Sequence, residues 1–478
     1  MRGFHDAGSL ACTRCAAAAA GRAALMGLLD IFKRRDDAPK AVRSYEAATG
    51  VQRRFGGGSQ SFGPWAAEAS AAREPVQRRA RHFAVNNPLA HSGVTAWTTA
   101  AVGAGITATS QHPNPETRKT LDAAFKAWTR RADLEELTDF AGLQAAAVRS
   151  ERIDGEALFR WVGNQLQAIP AEMLDMAMTR DLAGGAFIAN GVELDALGRR
   201  VAYWVNPAKP SDQFPTYAQP IRIPAEDVLH VYRPTGPGAV RGVSALANVL
   251  LRLSELDGLE DALQTNAKVA ALLSVILTNE NSMDDGTGDP FAEGQSLEPG
   301  AMFKIPGGWK VNTTAPQQAQ QVAEFLSHLS RSIAAGLDVP EHLLTGDLRQ
   351  ANYSSLRAAL VSFRQKIESY QFHTLVPQLL NPVWRRVMTN AALSGEIDAP
   401  LNDDLFAVEW IPPAQPWVDP LKDAEATLKL MGAGLLSRRQ AVASLGYSID
   451  ELDSEIAADR ARESALNLTF GESDNGNA

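Results

Sequence analysis

Apolar positions along the 478-residue chain change period several times, and each change marks an element. From Arg78, the run "RRARHFAVNNPLAHSGVTAWTTAAVGAGI" predicts a helix, a polar break at Asn86-Asn87-Pro88 and a second helix ending at Gly103 or Gly105. Residues 116–150 predict more helix, with Leu121, Phe125, Trp128, Leu134, Leu137 and Phe140 as apolar points. The period then shortens: "GEALFRWV", "LQAIPAEML", "FIANGVELDALGRRVAYWV" and "IRIPAEDVLHVYR" are β-branched or alternating runs between turn signals. Residues 155–233 therefore read as a strand-rich lobe, with a hairpin turned at Leu197-Gly198. Leucines at 246, 250, 253, 256, 259 and 263 restore a helical stripe, with Ser244 as candidate N-cap. About 28 residues at roughly 1.5 Å each make it a rod of roughly 42 Å.

Turn-rich residues 279–315 hold the short strand candidates "AMFKIP" and "WKVNT". A second rod starts near Pro316, shows the stripe Val322, Phe325, Leu326, Leu329 and Ile333, and breaks at 338–340. The polar loop "GDLRQANYSS" leads to a third long helix, capped by Ser354 or Ser355, running to about Met388 and kinked at Pro377 and Pro382. Short acidic helices occupy 421–465, and "FGESDNGNA" is a frayed tail.

Composition adds charge asymmetry. The net charge is −9, which speaks against a simple nucleic-acid wrapping surface over the whole molecule. Residues 1–90 carry 14 Lys/Arg against 7 Asp/Glu, and residues 391–478 carry 6 against 16. A basic arm, with Arg34, Arg35, Arg53, Arg54, Arg78, Arg79 and Arg81, thus faces an acidic end. The arm is either a contact surface for partners or a solvated, partnerless segment; order is expected from about Pro75, with Phe55 and Trp65 as scattered anchors before it. "MGLLDIFKRR" at Met26 reads like a natural start, which makes residues 1–25 an extension or flexible leader.

Candidate chemistry is sparse. Cys12 and Cys15 exclude a disulfide framework, and a zinc site would need more ligands than His5 adds. The apolar stretch 16–29 is too short and interrupted to span a bilayer. "RPTGPGAVRGVS" precedes a helix, but no Gly-Lys-Ser/Thr occurs, so the lysine of a phosphate-binding loop is missing and the chain is not read as a motor. "VGAGI" is a helix stop, and neither H-E-x-x-H nor G-x-S-x-G is present. Glu172 with Asp175, or Asp154 with Glu156, could form acid–base pairs, but ordinary surface solvation is the favoured reading. No enzyme activity, cofactor, metal or membrane partner is expected.

The pieces "RRARHFAVNNPLA", "GEALFRW", "IANGVELDALGRRVAYWV", "RGVSALANVLLRL", "LEPGAMFKIPGG", "GLDVPEHLLTGDLRQANYSSLRAAL" and "WIPPAQPWVDPLKDAEA", with Tyr45-Glu46-Ala47-Ala48 before them, stand in an order that resembles the lambda-type family of phage portal proteins over roughly residues 26–465. The resemblance implies an α+β, mainly α, portal-type fold. Its parts by order would be a flexible basic arm (1–75), a strand-rich wing (76–243), a first stem helix (244–278), a small β clip (279–315), a second stem helix (316–340) and a tunnel loop (341–353). A long kinked helix (354–400), a helical C-terminal crown (401–465) and a disordered tail (466–478) would follow. It implies a homo-oligomeric ring, typically of twelve, at one capsid vertex, passing double-stranded DNA without sequence preference. The implied partners are the terminase large subunit, the major capsid or scaffold protein and the head–tail connector.

On this reading Asp347, Arg349, Gln350, Asn352 and Tyr353 face the DNA; the alternative is a connection that merely turns the chain. Leu246, Leu250, Leu253, Leu256, Val322, Phe325 and Leu329 are either seams between subunits or core of one chain. A phage DNA-processing enzyme, or a minor capsid or connector protein without a channel, are the competing functions.

Overall fold

The computed structural model describes Tyr45 and residues 63–207, 219–272, 276–279, 309–312, 319–349, 352–414, 417 and 419–468. Helix α1 spans Trp65–Asn86 and α2 spans Pro88–Val102. Asn87 divides them as read from sequence: its side chain accepts from Ala90 N (3.0 Å), and Pro88 fills the first helical turn, where no N–H is needed. Gly103 closes α2 at φ 51.

The expected start of order near Pro75 is corrected. Helix α1 runs through Pro75, because Ala69, Ala72, Val76, Ala80 and Ala84 bury one face at spacings of three and four. Trp65 is thus a helical residue, and Arg78, Arg79 and Arg81 stand on a packed helix and not on an arm.

Strand β1 (Thr107–Ser110) precedes helices α3 (Pro115–Thr129) and α4 (Phe140–Asp154). The expected helix over 116–150 is interrupted by buried Asp133, whose carboxylate accepts from the N–H groups of Glu135, Leu137 and Thr138 at 3.0–3.2 Å. Leu137, read as an apolar contact, is exposed on that turn.

The strand-rich lobe is present. Strands β2 (Glu156–Val162), β3 (Gln165–Ile169) and β9 (Val228–Tyr232) form one antiparallel sheet in the order β3-β2-β9. Strands β4 (Arg180–Asp181), β5 (Phe187–Ala189), β6 (Val192–Leu194), β7 (Arg200–Val205) and β8 (Ile221–Pro224) form a meander in sequence order. Asp195 and Gly198 turn the β6–β7 hairpin, where Gly198 adopts φ 80. A small second core built on Leu158, Leu174, Val192 and Tyr203 lies between these sheets.

The first rod, α5, spans Leu250–Leu272, and the second, α6, spans Ala319–Leu337. Residues 244–249 form turns ahead of α5, so Ser244 is corrected from helix cap to turn cap; its Oγ accepts from Leu246 N at 3.1 Å. Beyond α5, strands β10 (Ile276–Asn279) and β11 (Trp309–Asn312) pair antiparallel. Residues 276–278, expected within the first rod, stand in β10 instead; the remainder of the 279–315 insert lies outside the described residues.

Leu246, Leu250, Leu253 and Leu256 are buried in the main core of one chain, with Ile333, Ala334 and Leu337 of α6. At 0–3% exposure these four fill the core of the single chain, which is the second of the two readings given above. Phe325, in contrast, is 53% exposed, while Val322 and Leu329 are half-buried. The turn leading into α5 meets α6 at close range: a Cβ on Gly336 would lie 2.4 Å from Val249, and Asn248 donates to Gly336 O at 2.9 Å.

Helix α7 (Glu341–Thr345) leads to α8 (Tyr353–Tyr370). Asn352, not Ser354 or Ser355, caps α8, with Ser355 as the reciprocal partner of a capping box. The predicted kink at Pro377 takes the form of a π-helical stretch, Gln371–Leu380, which carries the chain into α9 (Asn381–Leu393). Wider turns let the chain pass a residue that lacks an N–H without breaking the rod.

Helix α10 (Asp403–Phe406) and strand β12 (Val408–Ile411) follow, and β12 pairs with β1 some 300 residues earlier. Helices α11 (Pro420–Gly432), α12 (Arg438–Ser444) and α13 (Ile449–Leu466) complete the described chain. Helices α11 and α13 bury no residue; Arg118–Asp450 (3.3 Å) and Lys126–Glu451 (2.8 Å) join α13 to α3.

Leu253→Ala should therefore destabilise the single chain by about 2–5 kcal/mol, the usual cost of an aliphatic core truncation. Phe325→Ala should change it by less than about 0.5 kcal/mol, as surface substitutions do. Urea unfolding of the two variants checks both; equal effects would contradict the assignment of these rods.

Candidate functional site

The loop after α7 is built by local rules. Gly346 ends α7 in the left-handed region at φ 70, and Asp347 turns back to accept from Arg349 N (3.0 Å). Arg349 Nη2 then pairs with Asp347 Oδ2 at 2.7 Å. The Arg349 hydrogen bond holds the Asp347 carboxyl down at about 2, and Asp347 raises the guanidinium in turn. The loop so presents a self-neutralised pair, with Arg349 88% exposed and the apolar Leu348 also open to solvent.

Of the other predicted loop residues, Asn352 uses its side-chain oxygen on Ser355 N (2.8 Å). Tyr353 opens α8, and Gln350 lies outside the described residues. Leu348 was missed, because an exposed leucine in a polar loop carries no sequence signal.

The predicted arm splits. Arg34, Arg35, Arg53 and Arg54 lie outside the described residues. Arg78 pairs with Glu74 on the surface of α1 at 2.6 Å. Arg79 shares that helix and has an interaction of its own. Arg81 clamps Asp154 (2.6 Å) and Glu172 (2.5 Å), bonds that raise its already high pKa and bring α1 onto the lobe.

Asp154 and Glu156, weighed above as an acid–base pair, take separate partners. Glu156 is fully buried at the start of β2, so the surface-solvation reading is corrected for it. Arg73 Nη2 and Arg241 Nη2 each stand 2.5 Å from its Oε1, and His230 Nε2 lies 3.0 Å from Oε2. Arg241 also donates to the carbonyls of Ala171, Leu174 and Asn190, and Arg73 to that of Gly242.

Burial works to raise the Glu156 pKa, but Arg241 and Arg73 outweigh it and leave the carboxyl well below its usual range. Burial lowers the His230 pKa against the pull of Glu156, and it brings Arg73 down to about 10. A carboxylate saturated in this way is no proton carrier; its chemistry is that of a structural tie. Among the described residues no group of three or more His, Cys, Asp or Glu is arranged to hold a metal, and no helix is long and apolar enough to cross a membrane.

The chain matches the family described as phage portal protein, lambda family, over residues 53–371. It belongs to that family. It is 26% identical over 381 residues to the probable portal protein of Halomonas phage phiHAP-1, a match covering 74% of this chain and 73% of that protein. It is 23% identical over 318 residues to portal protein B of Escherichia phage lambda, covering 58% of this chain and 59% of that one. Among solved structures, a chain in the neck of an empty GTA particle computed with C6 symmetry aligns at 18% identity and TM-score 0.46, covering 80% of this chain and 94% of that one. The architecture is α+β and mainly α, as expected of a portal protein.

Within this portal protein, the pH dependence of stability follows from the buried tie. The folded pKa values of Glu156 and His230 are both depressed. Their contribution is therefore complete above the unfolded values, about 4.3 and about 6.5, and is lost as pH falls through the folded values. Melting temperature should drop on acidification below neutrality. Glu156→Gln should remove the carboxylate part of that dependence and cost about 3–5 kcal/mol at pH 7, because it leaves buried guanidinium groups uncompensated. A variant as stable as the parent would contradict the role given to Glu156.

Proposed function

We propose that the chain assembles into a closed ring, a dodecamer, at one capsid vertex, and that the ring is the channel for double-stranded DNA during packaging and ejection. Its partners on this reading are the terminase large subunit, the major capsid or scaffold protein and the head–tail connector. Its place is the virion, after assembly in the host cytoplasm. The observation that carries the reading is the family match over residues 53–371, which takes in the lobe, both rods and the loop.

The strand lobe serves as the wing, α5 and α6 as the stem, the β10–β11 insert as the clip, residues 341–353 as the tunnel loop and the acidic C-terminal helices as the crown. Two features support a conduit. Subunits that close their cores internally and still leave Phe325 exposed on a rod have a face for a neighbour. A DNA channel must also touch phosphates without holding them, since each neutralised phosphate adds affinity by counterion release. The Arg349–Asp347 pair offers a donor whose charge is already balanced. The reading is non-enzymatic: DNA movement requires an external motor, because the chain carries no Gly-Lys-Ser/Thr phosphate loop.

Negative-stain microscopy of the purified protein tests the reading. Rings with a central hole are expected; particles that never form rings would favour a connector without a channel or a DNA-processing enzyme. Within assembled particles, the double substitution Arg349→Ala and Gln350→Ala should shorten the packaged genome, and unchanged genome length would remove the loop from the channel wall.

A further inference from the structure

Among the described residues, the C-terminal helices hold to the rest of the chain mainly through polar side chains. Helices α11 and α13 bury no residue, and α12 buries Ala441 and Val442. The attachment runs through Arg357–Asp423 (3.3 Å) from α8, Arg439 Nη1 to Gln111 Oε1 (3.1 Å), Arg118–Asp450 (3.3 Å) and Lys126–Glu451 (2.8 Å). Ion pairs near the surface contribute little each and weaken with salt, so this attachment is the part of the fold that opens first.

The two pairs to α13 share one stripe of α3. Arg118, Asp122 and Lys126 stand at successive i,i+4 positions, so their side chains lie on one face. Asp450 and Glu451, in the first turn of α13, take the two outer positions. The middle position is a further carboxylate: Asp122 is half-buried, and its Oδ1 accepts from Ser110 N at 2.7 Å. Two cations thus meet three carboxylates. Through Ser110, which pairs with Val408, Asp122 is also tied to β12, the strand ahead of α11. The other packed elements add Glu409 of β12 and Arg439 of α12, both bonded to Gln111 (2.9 and 3.1 Å), and His112, whose ring accepts from Asn114 N at 3.1 Å.

Burial first, and then Asp450 and Glu451, push the Asp122 carboxyl up to about 6, against the pull of Ser110 N and Arg118. The share due to Asp450 and Glu451 exists only while α13 is docked. The docked value is therefore the higher one: closure is fully favoured below the released value and weakens as pH rises through about 6.

We propose that α13 is an electrostatic latch, closed on the Arg118–Asp122–Lys126 stripe of α3 and released when Asp122 carries its charge and salt screens the two outer pairs. Release frees the C-terminal helices, with Leu421, Leu428 and Leu435 already exposed on them, from α3 while the main core stays folded.

The test places spin labels at Ala123→Cys on α3 and Ala457→Cys on α13, both exposed positions, in the full chain with Cys12→Ser and Cys15→Ser. Labelled chains are diluted into unlabelled ones, so that the distances read are within one chain. The ratio of released to docked distances should rise about fivefold from about pH 5 to about pH 7.5. It should rise again from about 0.05 M to about 0.5 M salt, over which the screening length falls about threefold. Asp122→Asn keeps an acceptor for Ser110 N and should hold the ratio at its low-pH value throughout. Asp450→Asn with Glu451→Gln, which leaves the core untouched, should release α13 and abolish the salt response. One distance unchanged across pH and salt, a pH response that survives Asp122→Asn, or a docked α13 in the double variant would each overturn the proposal.

Discussion

A carboxylate with no exposed surface has to be paired, and Glu156 meets that requirement with groups from three other parts of the chain. Arg73 comes from α1, His230 from β9 and Arg241 from the turn that leads into the first rod. Removing any partner leaves charge in a place water does not reach, so the four segments are fixed together or not at all. Beside it, Gly155 adopts φ 89 with Val243 against it, and a Cβ on Gly242 would meet Gly155 O at 1.9 Å. Those contacts fix where the rod leaves the lobe, and hence the course of every later element.

From that fixed point the molecule divides its apolar surface in two. The Leu246–Leu256 part of the leucine stripe, with Ile333, Ala334 and Leu337, closes a core within one chain. Farther along, α6 leaves Phe325 open, and the C-terminal helices leave Leu421, Leu428 and Leu435 open. A subunit built this way is finished as a fold and unfinished as a surface, which is the condition for assembling without refolding. The loop at Asp347–Arg349 follows the same economy of charge: its pair is satisfied in place and presents little net field.

The order of elements was legible in the sequence because periodicity and turn chemistry are local. Asn87-Pro88, Gly103, the β6–β7 hairpin and the break near Asp338 all stand where those signals place them. What was illegible is long-range. A pattern of leucines cannot say whether its partner lies in the same chain or the next; their burial with Ile333, Ala334 and Leu337 in one core decides it. Glu156 looks like any surface acid in "IDGEALF", since its partners lie about 80 residues away on either side. Pro75 misled for the opposite reason: a local breaker was overridden by five buried positions on the face of one helix. In the loop, Arg349 is legible in the sequence as an isolated charge, but its neutralisation by Asp347 depends on loop geometry.

Each chain closes its own core and leaves separate faces for the ring proposed above. Hydrogen–deuterium exchange of the assembled protein against its dissociated subunit addresses it directly. Amides of residues 250–256 should be protected in both states, whereas those around Phe325 should gain protection only on assembly. Fast exchange at 250–256 in the subunit, slowed by assembly, would contradict the account.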